Sequence, residues 1–228
     1  MAHEHILVVE DEEEIQELIQ YTLTKDGFRP LGVFSGEDAL RKVHTESFSC
    51  ILLDIMLPGM DGFDVCKALK KDAAVHNIPV IMLTAKGEEA DIVTGLELGA
   101  DDFIVKPFSP RILTARIKSV LRRKSSEALS AAVPLAVHDL VIHPGRREVT
   151  YKNVPVELTN MEFQILYFLA EKPGWVFSRY QIVEGVRGDN YPVTDRAVDV
   201  MIVGLRKKLG EAGTYIETVR GAGYKFKE

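Results

Sequence analysis

Apolar and polar positions change rhythm partway along this chain. In the first half, short apolar runs alternate with longer stretches of helical period. The runs His5–Glu10, Pro30–Phe34, Cys50–Asp54, Pro79–Leu83 and Phe103–Val105 are mostly Val, Ile and Leu with little alternation, as in strands buried on both faces. Helical patterns fall between them, near 12–26, 36–46, 62–71, 88–98 and 109–123. Ser35 before Gly36-Glu37-Asp38 and Ser109 before Pro110 read as helix starts. Five such β–α repeats predict a doubly wound, flavodoxin-like parallel sheet, whose ligands bind at the carboxyl ends of the strands.

Past Arg122-Arg123-Lys124 the segment from Ser125 is small and polar with no strong period, and reads as a linker over 125–134. Short strand candidates follow at Leu135–Val137, Leu140–His143 and Glu148–Tyr151, then helical patterns near 159–171, 178–186 and 194–209. Thr159 and Glu162 form a capping-box signature. Tyr215–Arg220 and Tyr224–Phe226, joined by Gly221-Ala222-Gly223, predict a terminal β-hairpin. The expected organisation is thus an α/β domain over 1–124, the linker, and an α+β domain over 135–228.

Composition adds exclusions. Apolar residues make up 46% and charged residues 27% of the 228, ordinary values for a chain that fills a core. No apolar run approaches the roughly 20 residues of a membrane span, and the N-terminus carries no signal-peptide pattern. The two cysteines, Cys50 and Cys66, have no metal-ligand spacing, which fits a reducing cytoplasm. The net charge of −6 divides unevenly: residues 1–124 hold 15 basic and 21 acidic side chains, the rest 13 of each. Residues 196–228 are locally basic, with seven cations against four anions. Two domains with different partners follow from that asymmetry.

Glu10, Asp11 and Asp54 end the first and third strands, which are neighbours in a doubly wound order. Three converging carboxylates demand a cation or a raised pKa. Hard oxygen ligands without His or Cys favour Mg²⁺. Thr84 and Lys106 end the fourth and fifth strands, where a hydroxyl and an ammonium suit phosphoryl oxygens.

These residues carry a resemblance. ILVVEDE (6–12), LLDIMLPGMDG (52–62), IMLTA (81–85) and GADDFIVKPF (99–108) resemble a two-component response-regulator receiver domain. RAVDVMIVGLRKKLG (196–210) and ETVRGAGYKF (217–226) resemble the winged-helix DNA-binding domain of the OmpR/PhoB subfamily. The resemblance implies that Asp54 accepts a phosphoryl group from a sensor histidine kinase. It implies Mg²⁺ held by Asp11, Asp54 and the Met56 carbonyl, with Glu10 acting through water. Lys106 would pair with a phosphoryl oxygen, and Thr84 would swing to hydrogen-bond the phosphoryl group. Phe103 stands where the family's switch aromatic, usually tyrosine, turns inward; it reads equally as plain core. Lys106-Pro107 is expected to be cis.

The resemblance further implies homodimerisation on phosphorylation through the fourth helix, fifth strand and fifth helix. Asp102 with Arg116, Asp101 with Arg123 and Glu97 with Lys118 match the family's charge pairs. Ile92 and Ile112 replace one further pair, either as an apolar contact across the dimer or as packing within the monomer. In the helix near 194–209, Arg196, Val200, Val203 and Lys207 form an exposed face suited to a major groove. Arg220 on the glycine-rich wing suits a minor groove. Thr218, Tyr224, Arg179 and Arg196 would contact phosphates by resemblance, and the target would be double-stranded DNA with direct-repeat half-sites. Val203-Gly204 stands where an arginine pair is common, leaving Val200 and Val203 to meet thymine methyls. RNA polymerase is a further implied partner through the loop at Arg187-Gly188-Asp189, where Arg187 replaces a common tryptophan. Two competing readings stand beside this one. A phosphorylation-independent regulator would not need the intact Glu10, Asp11, Asp54, Thr84 and Lys106. A phosphatase with an aspartyl nucleophile would want a second carboxylate two residues after Asp54, where Met56 stands.

Overall fold

The computed structural model describes residues 4–85, 91, 94–96, 98–129, 133–187 and 195–228. The chain divides into two compact units, Met1–Lys124 and Ser125–Glu228. Among the described residues no helix is long and apolar enough to cross a membrane.

In the first unit, β1 (His5–Val9), β2 (Arg29–Val33), β3 (Cys50–Asp54), β4 (Val80–Ala85) and β5 (Asp102–Lys106) form one parallel sheet in the order β2-β1-β3-β4-β5. The reversal of strand order between β1 and β3 is the crevice expected of a doubly wound sheet. Apolar positions one residue apart go to opposite faces. Ile6, Val8, Cys50, Leu52, Ile81, Leu83 and Ile104 pack with Ile19 and Leu23 of α1 (Glu13–Lys25) and with Leu113, Ile117 and Val120 of α4 (Pro110–Leu129). Leu7, Val9, Ile51, Leu53 and Met82 are equally buried, as are Ala39 and Val43 of α2 (Gly36–Thr45) and Val65 and Leu69 of α3 (Gly62–Lys71). Burial on both faces explains why these strands read as continuous apolar runs. Ser35 and Asp61 cap α2 and α3 by accepting from the backbone N–H groups of Asp38 and Asp64.

Helix α4 begins at the Ser109 cap, whose hydroxyl accepts from Ile112 N at 3.3 Å. It runs six residues past the expected end at 123. Nothing between Arg111 and Leu129 breaks a helix, and Glu127, Ala128 and Leu129 are strong helix formers. The first part of the expected linker is therefore helical. Most of the expected helix over 88–98 lies outside the described residues; Asp91 and Thr94–Leu96 within it are helical.

The second unit opens with an antiparallel sheet of β6 (Leu135–Val137), β7 (Leu140–His143), β8 (Glu148–Tyr151) and the unforeseen two-residue β9 (Val154–Pro155). Three helices follow: α5 (Asn160–Ala170), α6 (Arg179–Arg187) and α7 (Asp195–Leu209). The capping box is complete: the Thr159 hydroxyl accepts from Glu162 N, and Thr159 N donates to Glu162 Oε2 at 2.7 Å. After a short 3-10 turn come β10 (Ile216–Val219) and β11 (Gly223–Phe226), an antiparallel hairpin. Tyr224 also bridges Phe177, each backbone N–H donating to the other's carbonyl at 2.8 and 2.9 Å. Gly223 permits this: its φ is +144°, and a Cβ there would meet the Phe177 carbonyl oxygen at 2.0 Å.

Candidate functional site

Parallel pairing in register aligns the strand ends. Val9 pairs with Leu53, Asp54 with Leu83, and Thr84 with Val105. Glu10 and Asp11 therefore leave β1 beside Asp54 at the end of β3, with Thr84 and Lys106 along the same edge. One carboxylate oxygen from each of Glu10, Asp11 and Asp54 lies within 4.8 Å of the others. Glu10 and Asp54 are buried while Asp11 is exposed, so the cluster opens to solvent through Asp11. Lys106 reaches across from β5. Its Nζ donates to Glu10 Oε1 and Asp54 Oδ2, both at 3.0 Å, and lies 2.8 Å from Glu10 Oε2. Burial pushes the Glu10 carboxyl up to about 7, with the Asp54 charge adding to it and the Lys106 bond opposing. Burial works against the Lys106 ammonium as well, but the two carboxylates outweigh it and hold its pKa above the ordinary value.

The donor set fits a hard divalent cation. Glu10 Oε2 is buried; among the described residues its one close cation is an ammonium shared with Asp54, and it accepts no hydrogen bond. Among the described residues, three clustered carboxylates with one ammonium on two of them carry an excess of negative charge that a divalent cation such as Mg²⁺ would satisfy. Met56 follows in the loop after β3 with its side chain 74% exposed.

Thr84 is buried, and its hydroxyl donates to the Ala85 carbonyl at 3.3 Å. Phe103 lies inward: a Cβ on Gly95 would come within 2.5 Å of its ring. The Lys106-Pro107 peptide is cis.

The remaining sequence-derived residues fare unevenly. Ile92 and Glu97, and the side chain of Arg123, lie outside the described residues. Ile112 is 51% exposed. Arg116 pairs with the buried Asp102 of its own chain at 3.4 Å, and Lys118 with Asp26 at 2.7 Å. Asp101 is a correction. Expected to face a second copy, it is buried, because Lys70 at the end of α3, at 2.8 Å, and the Val80 N–H both bind its Oδ2 from within the chain.

In the second unit, Val203 and Lys207 are exposed on α7 and Arg220 and Thr218 on the wing. Val200, expected on the open face, is half-buried. The side chain of Arg196 and the loop at 188–190 lie outside the described residues, as does the side chain of Arg187. Tyr224 is a second correction: it is 5% exposed, and its hydroxyl donates to Asp199 Oδ1 at 2.6 Å. The same oxygen takes Arg179 Nε at 2.6 Å. The guanidinium carbons of Arg179 and Arg206 lie 5.2 and 5.6 Å from the Tyr224 ring centre. Arg206 also donates to the Thr218 hydroxyl at 2.9 Å and to the Ile216 carbonyl. Burial opposes the ionised Asp199, yet the Arg179 and Tyr224 bonds hold its pKa below the ordinary range. Asp199 and Arg206 escaped sequence reading, since each looks like a solvated charge on a helix.

Comparison with known proteins agrees with this geometry. Residues 6–118 match the response regulator receiver domain, and residues 153–226 match the C-terminal domain of transcriptional regulatory proteins. The chain is 44% identical over 223 residues to the phosphate regulon transcriptional regulatory protein PhoB of Klebsiella pneumoniae, covering 97% of this chain and 96% of that one. Among solved structures it is similar to the response regulator DrrB of Thermotoga maritima, an OmpR/PhoB homologue (33% identity, TM-score 0.51, 99% and 100% coverage). It is also similar to a sensor-kinase receiver domain from Pseudomonas aeruginosa, solved with magnesium in its active-site cleft (29% identity, TM-score 0.50, 53% of this chain and 99% of that one). This chain belongs to the response regulators of the OmpR/PhoB type, which join a receiver to a winged-helix DNA-binding domain.

Proposed function

We propose that phosphorylation of Asp54 by a sensor histidine kinase controls dimerisation of this chain and its binding to direct-repeat promoter DNA. The clustering of Glu10, Asp11 and Asp54, with the Lys106 ammonium on Glu10 and Asp54, carries the reading. An Asp54 oxygen attacks the phosphorus of the kinase's phosphohistidine. The P–N bond breaks, its electron pair stays on the imidazole, and an acyl phosphate forms. Transfer of this kind needs alignment and charge neutralisation rather than covalent machinery. Mg²⁺ would be held by Asp11, Asp54 and the Met56 carbonyl, with Glu10 behind, and supplies neutralisation of phosphoryl oxygens when bound. Lys106 takes a phosphoryl oxygen, and the Thr84 hydroxyl turns from the Ala85 carbonyl onto the phosphoryl group. Phe103, lying inward, packs behind it.

The exposed Ile112, with Ile92, Glu97, Arg116, Lys118 and Arg123, forms the dimer face; Asp102 supports it from within by fixing Arg116. On the second unit, Arg179, Arg196, Thr218 and Arg220 meet phosphates and the minor groove, while Val203 and Lys207 enter the major groove. The protein works in the cytoplasm. It turns over no substrate beyond its own phosphoryl group, since the second residue after Asp54 is the exposed Met56 rather than a general acid. The test is incubation of wild type and Asp54→Ala with Mg²⁺ and a small phosphodonor, read by intact mass. One added phosphate on wild type and none on the variant is expected; no adduct on wild type, or its persistence in the variant, overturns the reading.

A further inference from the structure

A buried amide behind the acid site has no place in the chemistry above. Gln16, on α1, is 4% exposed. Its Nε2 donates to two backbone carbonyls, Glu10 O and Val33 O, each at 2.9 Å. Its Oε1 accepts from Gln20 Nε2 at 3.0 Å. Both amide hydrogens are therefore committed to the carboxyl ends of β1 and β2, where Glu10 N also donates to Val33 O at 3.2 Å.

The Glu10 carbonyl shares a rigid peptide plane with the Asp11 nitrogen. Holding that oxygen fixes the plane, and with it the directions in which the Glu10 and Asp11 side chains leave the backbone. The room for the amide comes from β2: a Cβ on Gly32 would lie 2.3 Å from Gln16 Oε1 and 2.5 Å from Gln20 Nε2. Gly32 and Gln16 are thus one device, a donor on the helix and a notch in the strand.

We propose that Gln16 is a positioning residue for the acid site, setting the separation of the Glu10 and Asp11 carboxylates for a divalent cation. The inference rests on the reading of that site as a Mg²⁺ site. Being neutral, the amide orients the carboxylates without competing for them as Lys106 does. Losing a group that orients metal ligands typically costs about 10–100-fold in metal affinity.

The experiment is calorimetric titration of the full-length protein with Mg²⁺ alone, no phosphodonor present. Gln16→Met keeps the shape of the side chain and removes both donors. Gly32→Ala leaves Gln16 in place and displaces its amide with a methyl group. Both are expected to bind Mg²⁺ about 10-fold more weakly than wild type, with melting transitions retained. Their phosphorylation should reach the wild-type extent once Mg²⁺ is saturating. Wild-type affinity in both variants overturns the inference alone. Wild type that takes up no Mg²⁺ overturns the site reading and the inference with it. Loss of the fold in both variants, or reduced phosphorylation that saturating Mg²⁺ does not restore, makes Gln16 a structural residue and also overturns it.

Discussion

Lys70 and Asp101 form an ion pair at 2.8 Å with side chains only 4% and 1% exposed. Lys70 Nζ also donates to the Ile78 and His76 carbonyls at 2.9 and 3.3 Å, and Asp101 Oδ2 accepts the Val80 N–H at 2.9 Å. One ammonium thus ties the end of α3 to the loop leading into β4 and to the residue before β5.

Removing one member of such a pair leaves a buried charge uncompensated, at a cost of about 3–5 kcal/mol. Lys70→Met is therefore expected to destabilise the receiver by that amount in chemical denaturation, although Lys70 lies far along the sheet from Asp54. Asp101→Asn keeps an acceptor for Val80 N and should cost less. Equal stability of Lys70→Met and wild type would show that the pair contributes nothing.

Mg²⁺ held as proposed by the native carboxylate cluster, and not by the unfolded chain, would stabilise by mass action. At 100 times its dissociation constant the gain is ~2.7 kcal/mol. The receiver transition should rise by roughly 5–10 °C and fall back on chelation. Asp11 is exposed, so Asp11→Ala is expected to keep the fold and lose this shift.

The Asp199 carboxylate is held below its ordinary pKa by Arg179 and Tyr224, against the opposing effect of burial. A depressed carboxylate contributes stability above its unfolded value and loses that contribution as pH falls through the folded value. Asp199→Asn should accordingly be less stable than wild type in urea at pH 7, and the gap should close on acidification below the ordinary value of 3.8. A gap that persists at pH 2 would mean the charge is not what Asp199 supplies.

The parallel sheet was legible because strands buried on both faces must be apolar throughout, and the strand-end carboxylates because doubly wound order makes β1 and β3 neighbours. What escaped was set by reach across the fold. Lys70 sits in the last turn of α3, where a cation reads as a partner for the helix dipole, and only the tertiary path brings it to Asp101. Gln16 is one polar residue in an acidic first turn and a half. Asp199 looks like a solvated helix charge until Arg179 and Tyr224 close on it. The burial of Tyr224 was equally invisible, since a tyrosine on a short hairpin reads as exposed until Phe177 bridges its backbone.

Ile112 is a large apolar side chain left 51% exposed on α4. If it meets Ile92 of a second copy, Ile112→Glu buries an unpaired carboxylate in that contact. Dimerisation of the phosphorylated protein, followed by sedimentation, should weaken by about 2–4 kcal/mol, with phosphorylation of Asp54 unchanged. Unaltered dimerisation would remove Ile112 from the interface.

On the DNA-binding unit, two exposed residues should fail in different ways. In the proposed complex Arg220 on the wing would supply charge to the duplex, so Arg220→Ala should weaken binding and lower the slope of log affinity against log salt by about 1. Val203, 64% exposed on α7, carries no charge and offers only a methyl-bearing surface to a base edge. Val203→Ala should leave the salt slope unchanged while reducing discrimination at one thymine position by roughly 1 kcal/mol. Selection from random duplexes followed by binding to single-base variants measures both. If Val203→Ala shifts affinity equally across all bases, the valine packs against the sugar–phosphate backbone and the sequence reading must come from elsewhere on α7.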